Sequence, residues 1–120
     1  LASARSLVGK VDVIYLPIDN TVISALEAVL KVAERADIPV ITGDTDSVNR
    51  GAIAAVGFDY YQVGRQTGVI VERILKGESP KNIPVEGVHT MDLVINPAAA
   101  ERMGVTLPKS LIAEAKNVIQ

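Results

Sequence analysis

Aspartates stand just beyond three apolar runs of this chain. Asp19 follows Val11 to Leu16 (VDVIYL) and Pro17; Asp44 and Asp46 follow Ile38 to Thr42 (IPVIT) and Gly43; Asp59 follows Ala52 to Val56 and Gly57. Carboxylates gathered in this way could hold a metal or share acid–base work. They could also face a cation such as an α-ammonium group, and Asp44 and Asp59 are the candidates for such a charge-assisted hydrogen bond. Asn20 adjoins the first group and Thr45 the second. Beside the third, Phe58, Tyr60 and Tyr61 are all but one of the aromatic residues, the other being Tyr15. Three rings at one strand end suit stacking on a flat or apolar ligand group. A plainer reading stands beside each. An Asp or Asn after a strand commonly caps the next helix, and one ring can simply plug a sheet edge.

Most catalytic chemistry finds no support. There is no cysteine, which excludes a disulfide framework, a thiolate metal site and a cysteine nucleophile in these residues. The single histidine, His89, has no neighbouring ligand set and reads as a surface or hinge residue. No G-x-S-x-G elbow and no phosphate-binding loop occur. Gly57, Gly64 and Gly68 do not form a dinucleotide fingerprint. No enzyme activity, metal or cofactor is expected. Binding uses the same residues more naturally, because a helix starting near Asn20 aims free amides at whatever lies beyond the strand end, which favours an anionic group such as a carboxylate.

The elements that must position these groups alternate. Val11–Leu16 reads as a buried strand. Asp19-Asn20-Thr21 starts a helix whose apolar positions Val22, Leu26, Val29, Leu30 and Ala33 carry it to about Ala36. Ile38–Thr42 is the next strand, which makes a right-handed βαβ unit with a parallel sheet. Asp44–Gly51 reads as a loop or short helical turn and Ala52–Val56 as a third strand. A long helix spans roughly Val63–Lys76, with Gly77 as its cap and Pro80 barring continuation. Gly64 and Gly68 on that helix predict a closely approaching neighbour. Ile83–Glu86 and Asp92–Ile95 look extended. Asn96-Pro97 opens a short helix that Gly104 ends. Pro108 opens a last helix with Leu111, Ile112, Ala115 and Val118 on one side. The fold class is α/β, Rossmann-like, with a mostly parallel sheet, and such sheets bind ligands beyond the carboxyl ends of their strands.

Composition agrees. The 120 residues, 48% of them apolar, suffice for one domain and exclude disorder for most of the chain. Twelve basic against fourteen acidic residues, a formal charge of -2, argue against nucleic acid as the main partner. No run is long enough to cross a bilayer. The chain opens on Leu1 rather than Met, and Leu1 to Gly9 reads like the second half of a helix ending at a glycine, so a fragment of a longer protein is expected.

The run from Val11 to Gly68 closely resembles the periplasmic substrate-binding components of ABC transporters, in the branch often left uncharacterised that includes tryptophan- and aromatic-amino-acid-type binders. The D-N-T-V loop at Asp19, the D-T-D-S-V-x-x-G-A loop at Asp44 and the G-F-D-Y-Y-x-x-G-R-x-T-G segment at Gly57 carry the likeness. Later stretches, LKGESPKNIPVE and LVINPAAAERMGVTLP, are similar to that family's carboxyl end, so the resemblance covers nearly the whole chain. It implies a type I periplasmic-binding-protein fold, with two Rossmann-like lobes that close on a ligand by hinge motion. By analogy, about 1–49 belongs to the carboxyl-terminal lobe and about 57–77 to the amino-terminal lobe. Crossings fall near 50–56 and 85–93. Asp19, Asn20, Asp44, Thr45, Phe58, Asp59 and Tyr60 match cleft-facing positions. The implied ligand is a small polar molecule, an amino acid above all; the implied partner is an ABC permease, and the compartment is periplasmic or lipid-anchored outside the cytoplasm. Members are much longer than this chain, and the portion expected to be missing is amino-terminal. Exposed apolar faces would then favour either a swapped homodimer or a compact, flavodoxin-like single lobe. The alternative function is the effector-binding domain of a lac-repressor-type regulator, which would need a helix-turn-helix upstream. A receiver-like signalling domain ranks behind both.

Overall fold

A computed structural model describes residues 1–119 of the chain. It comprises two compact units: Leu1–Gly57 together with Asp92 onward, and Phe58–Met91.

The first unit opens with α1 (Ala2–Leu7) and a turn at Gly9, whose φ of 73° is left-handed. Strand β1 follows, shorter than its apolar run, at Ile14–Leu16. Its partner β2 is Val40–Thr42 rather than the whole of Ile38–Thr42. Pro39 has no amide to donate, and its carbonyl instead accepts from the Ile14 amide at 2.8 Å, so the ladder begins there. Between these strands the expected single helix to Ala36 is two: α2 (Asn20–Ser24) and α3 (Leu26–Arg35). At the break the Ala25 amide donates to Val22, three residues back. The carbonyl of Ile23, which an unbroken helix would use for the Glu27 amide, faces Arg50 instead. Asp37, at φ 50°, turns the chain out of α3 while the Ile38 amide reaches back to the Ala33 carbonyl.

The loop after β2 contains one helical turn, α4 (Asp46–Asn49), and leads to β3 (Ala54–Gly57). That strand starts two residues later than its apolar run, because the Ala52 amide is spent on the Ser47 carbonyl at the end of the turn. Further along the sequence, β4 (Asp92–Ile95) lies antiparallel to β3. Next comes α6 (Pro97–Arg102), if the long helix of the second unit, Tyr60–Leu75, is numbered α5. Asn96 Oδ1 accepts from the Ala99 amide at the start of α6, and Gly104 closes the helix with φ 69°. The last helix, α7 (Lys109–Glu114), is shorter than its apolar pattern. Val118 does not belong to it. Asn117 and Val118 form β5, parallel to β4, and the Lys116 and Ile119 amides bond to Leu93 and Ile95. Pairing with a strand edge outweighs helical continuation in this β-branched, asparagine-containing tail.

The sheet order is β1-β2-β3-β4-β5, and three of its four pairings are parallel, which gives the mostly parallel α/β class. One face carries the core: Ile14, Leu16, Val40 and Ile53 meet Leu26 and Leu30 of α3 and Met103 beyond α6. Farther along the strands, Val48, Ala55 and Val94 form a second, smaller cluster. Tyr15, Ile41 and Val56, which alternate with Leu16, Thr42 and Ala55, point to the opposite face and remain exposed.

In the second unit α5 begins three residues earlier than its apolar pattern, because Asp59 Oδ1 accepts from the Tyr61 amide at 2.7 Å and starts the helix there. It ends in paired bonds from Gly77 to Ile74 and from Glu78 to Arg73, the Schellman arrangement, with Gly77 at φ 99°. A 3-10 turn at Pro80–Asn82 follows. Ile83–Glu86 is irregular rather than a strand. Gln66 instead anchors this return segment, donating to the Gly87 carbonyl and accepting from the His89 amide. No residue of α5 is buried. A methyl group built on Gly64 or Gly68 would meet nothing within 4 Å, so the close neighbour expected there is not among the described residues.

Candidate functional site

Three neighbouring parallel strands, β1, β2 and β3, direct their carboxyl ends to one edge of the first unit's sheet. The turn after β1 carries Asp19 and Asn20. The Asp19 backbone is extended, and its Oδ1 accepts from the Val22 amide at 2.9 Å, which starts α2. Asn20 is the first residue of that helix, and both side chains are exposed.

The turn after β2 is more tightly built. Asp44 Oδ1 accepts from the Ser47 amide at 2.9 Å and Oδ2 from the Ser47 hydroxyl at 2.7 Å. Ser47 is fully buried, so Asp44 satisfies a hydroxyl that has no access to water. Thr42, also buried, donates from Oγ1 to the Asp44 carbonyl and holds the turn from below. Thr45 lies against the end of the next strand. A methyl group on Gly57 would stand 3.2 Å from both Thr45 Cγ2 and the Gly43 carbonyl oxygen. Glycine at 57 is therefore what lets the β2 turn and the β3 end approach so closely.

The edge thus brings Asp19, Asn20, Asp44 and Thr45 together on adjacent turns. Phe58, Asp59 and Tyr60 lie in the second unit. Asp59 caps α5, and the Phe58 and Tyr60 rings meet edge to face, with centroids 5.0 Å apart and planes at 74°. Tyr61, next along the helix, lies outside that ring pair. Asp19 and Asp59 act as N-caps, Asp44 accepts from the Ser47 amide in the first turn of α4, and Asp46 is the first residue of that turn. Asp19 and Asp59 each use one oxygen for capping, and a carboxylate offers about four acceptor positions in all.

Sequence reasoning passed over two groups. Tyr15 projects from β1 over Gly43, where an added methyl group would come within 2.9 Å of its hydroxyl. Its outward register in a strand of alternating burial was the available signal. Arg50 stood only as part of a loop and crossing, yet it forks onto Glu27 and reaches the Ile23 carbonyl. That hydrogen bond, more than the charge alone, holds the Glu27 carboxyl below its usual range and raises the Arg50 guanidinium. No group of three or more His, Cys, Asp or Glu side chains able to hold a metal ion occurs among the described residues. No described helix is long and apolar enough to cross a membrane.

The family model for ABC transporter substrate binding protein matches residues 1–119. The chain belongs to that family. A tyrosine-binding protein of Clostridioides difficile (strain R20291) is 41% identical over 91 residues, 76% of this chain and 26% of that protein. Among solved structures, a conserved domain protein from Vibrio cholerae superposes with a TM-score of 0.84 at 44% identity, over 98% of this chain and 40% of that one. A Streptococcus pneumoniae ABC domain in complex with L-Trp gives a TM-score of 0.83 at 34% identity, with the same coverage of both chains. This chain therefore spans about a quarter of the curated relative and two-fifths of the solved proteins. With the family established, the regulator and receiver alternatives lose their ground.

Proposed function

We propose that this chain is part of the substrate-binding component of an ABC importer and that its ligand is an aromatic L-amino acid. The observation that carries the reading is the convergence of two aspartate-capped turns, at Asp19–Asn20 and Asp44–Thr45, on one edge of a parallel sheet. The amides at the start of α2 suit a carboxylate, and the aspartate oxygens left over from capping suit an α-ammonium group. The Phe58–Tyr60 pair suits the ligand's ring. The tyrosine-binding relative and the L-Trp complex support the same ligand class.

On this reading, the first 49 residues belong to one lobe and residues 57–77 to the other, with crossings near 50–56 and 85–93; the division of the chain after Gly57 and Met91 supports this. Asp19, Asn20, Asp44, Thr45, Phe58, Asp59 and Tyr60 form the ligand contacts. The protein acts outside the cytoplasm, periplasmic or lipid-anchored, delivers its ligand to an ABC permease and performs no chemistry on it.

Titration calorimetry against the common L-amino acids tests this. Heat is expected with tryptophan or tyrosine, and Asn20→Ala is expected to weaken binding about tenfold, equivalent to ~1.4 kcal/mol. Asp44→Ala is expected to weaken binding and also to destabilise the fold by about 1–3 kcal/mol, because it strands the buried Ser47 hydroxyl. Absence of heat with every amino acid would remove the reading.

A further inference from the structure

The break between α2 and α3 has no sufficient local cause. Residues 20–35 contain no proline or glycine, and Ala25, Leu26, Glu27 and Ala28 at the break are among the better helix formers. Kinks arise at Pro, at Gly or Ser, at bulges, or where a side chain enters the hydrogen-bond ladder. Two side chains enter it here. Ser24 Oγ donates to the Thr21 carbonyl at 2.8 Å, the acceptor that the Ala25 amide would use in a continuous helix. Arg50 Nη2 donates to the Ile23 carbonyl at 3.0 Å. The same guanidinium donates from Nε to Glu27 Oε1 at 2.8 Å and from Nη2 to Glu27 Oε2 at 3.0 Å. One planar group therefore holds the last turn of α2 and the first turn of α3 at once.

Arg50 closes α4, the turn that follows Asp44 and Thr45, while α2 begins with Asp19 and Asn20. We propose that Arg50 is a positioning residue for the ligand turn: by its fork onto Glu27 and Ile23 it breaks the helix after Ser24 and sets the direction in which α2 presents Asp19 and Asn20. The ion pair is partly exposed, with side-chain accessibilities of 36% and 65%, and exposed pairs add little to stability. Its value lies in geometry. Lysine keeps the charge but lacks the planar fork, so it cannot grip a carboxylate and a carbonyl together.

The affinity part of this proposal rests on the aromatic-amino-acid reading above; the helix-break part does not. Hydrogen exchange of the unliganded protein is compared for wild type, Arg50→Gln, Arg50→Lys and Ser24→Ala, alongside calorimetry with L-tryptophan and L-tyrosine. Both Arg50 variants are expected to speed exchange at the Val22 and Ile23 amides by about tenfold. They are also expected to weaken ligand binding by about 3–10-fold, with little change in Tm. Glu27→Gln keeps an acceptor for the fork and is expected to change affinity less than either Arg50 variant. Unchanged exchange in both Arg50 variants, full retention of wild-type behaviour by lysine, or the whole effect produced by Ser24→Ala alone would each overturn the proposal. If the wild type binds no amino acid, the functional reading fails and the exchange result still decides the role of Arg50.

Discussion

The first unit has a buried apolar core, and among the described residues of the second none is buried. Leu26, Val40, Val48 and Ile95 of the first are sealed between sheet and helices, whereas Val69, Val71 and Leu75 on α5 are exposed. Both segments have the apolar periodicity of an amphipathic helix: α3 and α5 alike read as one apolar face with a charged opposite side. The difference is the partner. Helix α3 lies on a sheet contributed by its own unit, whereas within the second unit α5 meets its return segment, held by Gln66, and closes with the Arg73–Glu78 fork. Periodicity records that a face was selected for burial, and the burial itself needs a second surface.

The largest test of that contrast is truncation in each unit. Leu26→Ala, at a fully buried position, is expected to cost about 2–5 kcal/mol in denaturant unfolding. Val71→Ala, on the exposed side of α5, should stay within about 0.5 kcal/mol. Equal losses would mean that α5 has a buried partner in solution.

Glycine replacement gives a smaller effect of opposite sign in the two units. Gly57→Ala drives a methyl group to 3.2 Å from the Gly43 carbonyl oxygen, a backbone atom that cannot swing aside. A loss of about 1–3 kcal/mol is expected in thermal melts. Gly64→Ala meets open space inside a helix and is expected to stabilise α5 by about 0.4–1 kcal/mol, read as slower amide exchange along the helix. A destabilising Gly64→Ala would reveal an unseen neighbour.

The smallest effect is electrostatic. Glu27 in the first unit and Glu78 in the second are both held below the ordinary glutamate value of 4.5, chiefly by hydrogen bonds from Arg50 and Arg73. Each contributes stability that is complete above that value and is lost as pH falls through the lowered folded-state pKa. In acid titrations, Glu27→Gln is expected to flatten part of the pH dependence of global unfolding. Glu78→Gln is expected to alter only exchange near the end of α5. A change in global stability from Glu78→Gln would mean that the two units unfold together.

Much of the scaffold was legible in the chain. Asp19 and Asn96 announced helix starts, and Gly77 and Gly104 announced helix ends, because capping depends on a few adjacent residues; the start of α5 at Asp59 was missed by three residues. The β-branched runs announced parallel strands. Less legible were the elements whose ends depend on distant partners. Val118 continued a helical pattern and yet pairs with β4, since an open strand edge offers its backbone more than another helical turn does. The strands shortened because pairing begins only where a partner amide exists, as at Pro39. For the candidate site, residue types and the edge on which they gather could be read from order alone, but Tyr15 over Gly43 could not.

The sequence by itself determined the α/β class, the caps and the three polar turns after β1, β2 and β3, because propensity, periodicity and capping act over a few neighbouring residues. Tertiary structure decided where α2 stops. Nothing between Asn20 and Arg35 fully accounts for the break at Ala25; the guanidinium that takes the Ile23 carbonyl comes from a residue twenty-seven positions away. A hydrogen bond across that separation is invisible to any local pattern, and it is what aims the turn that carries Asp19 and Asn20.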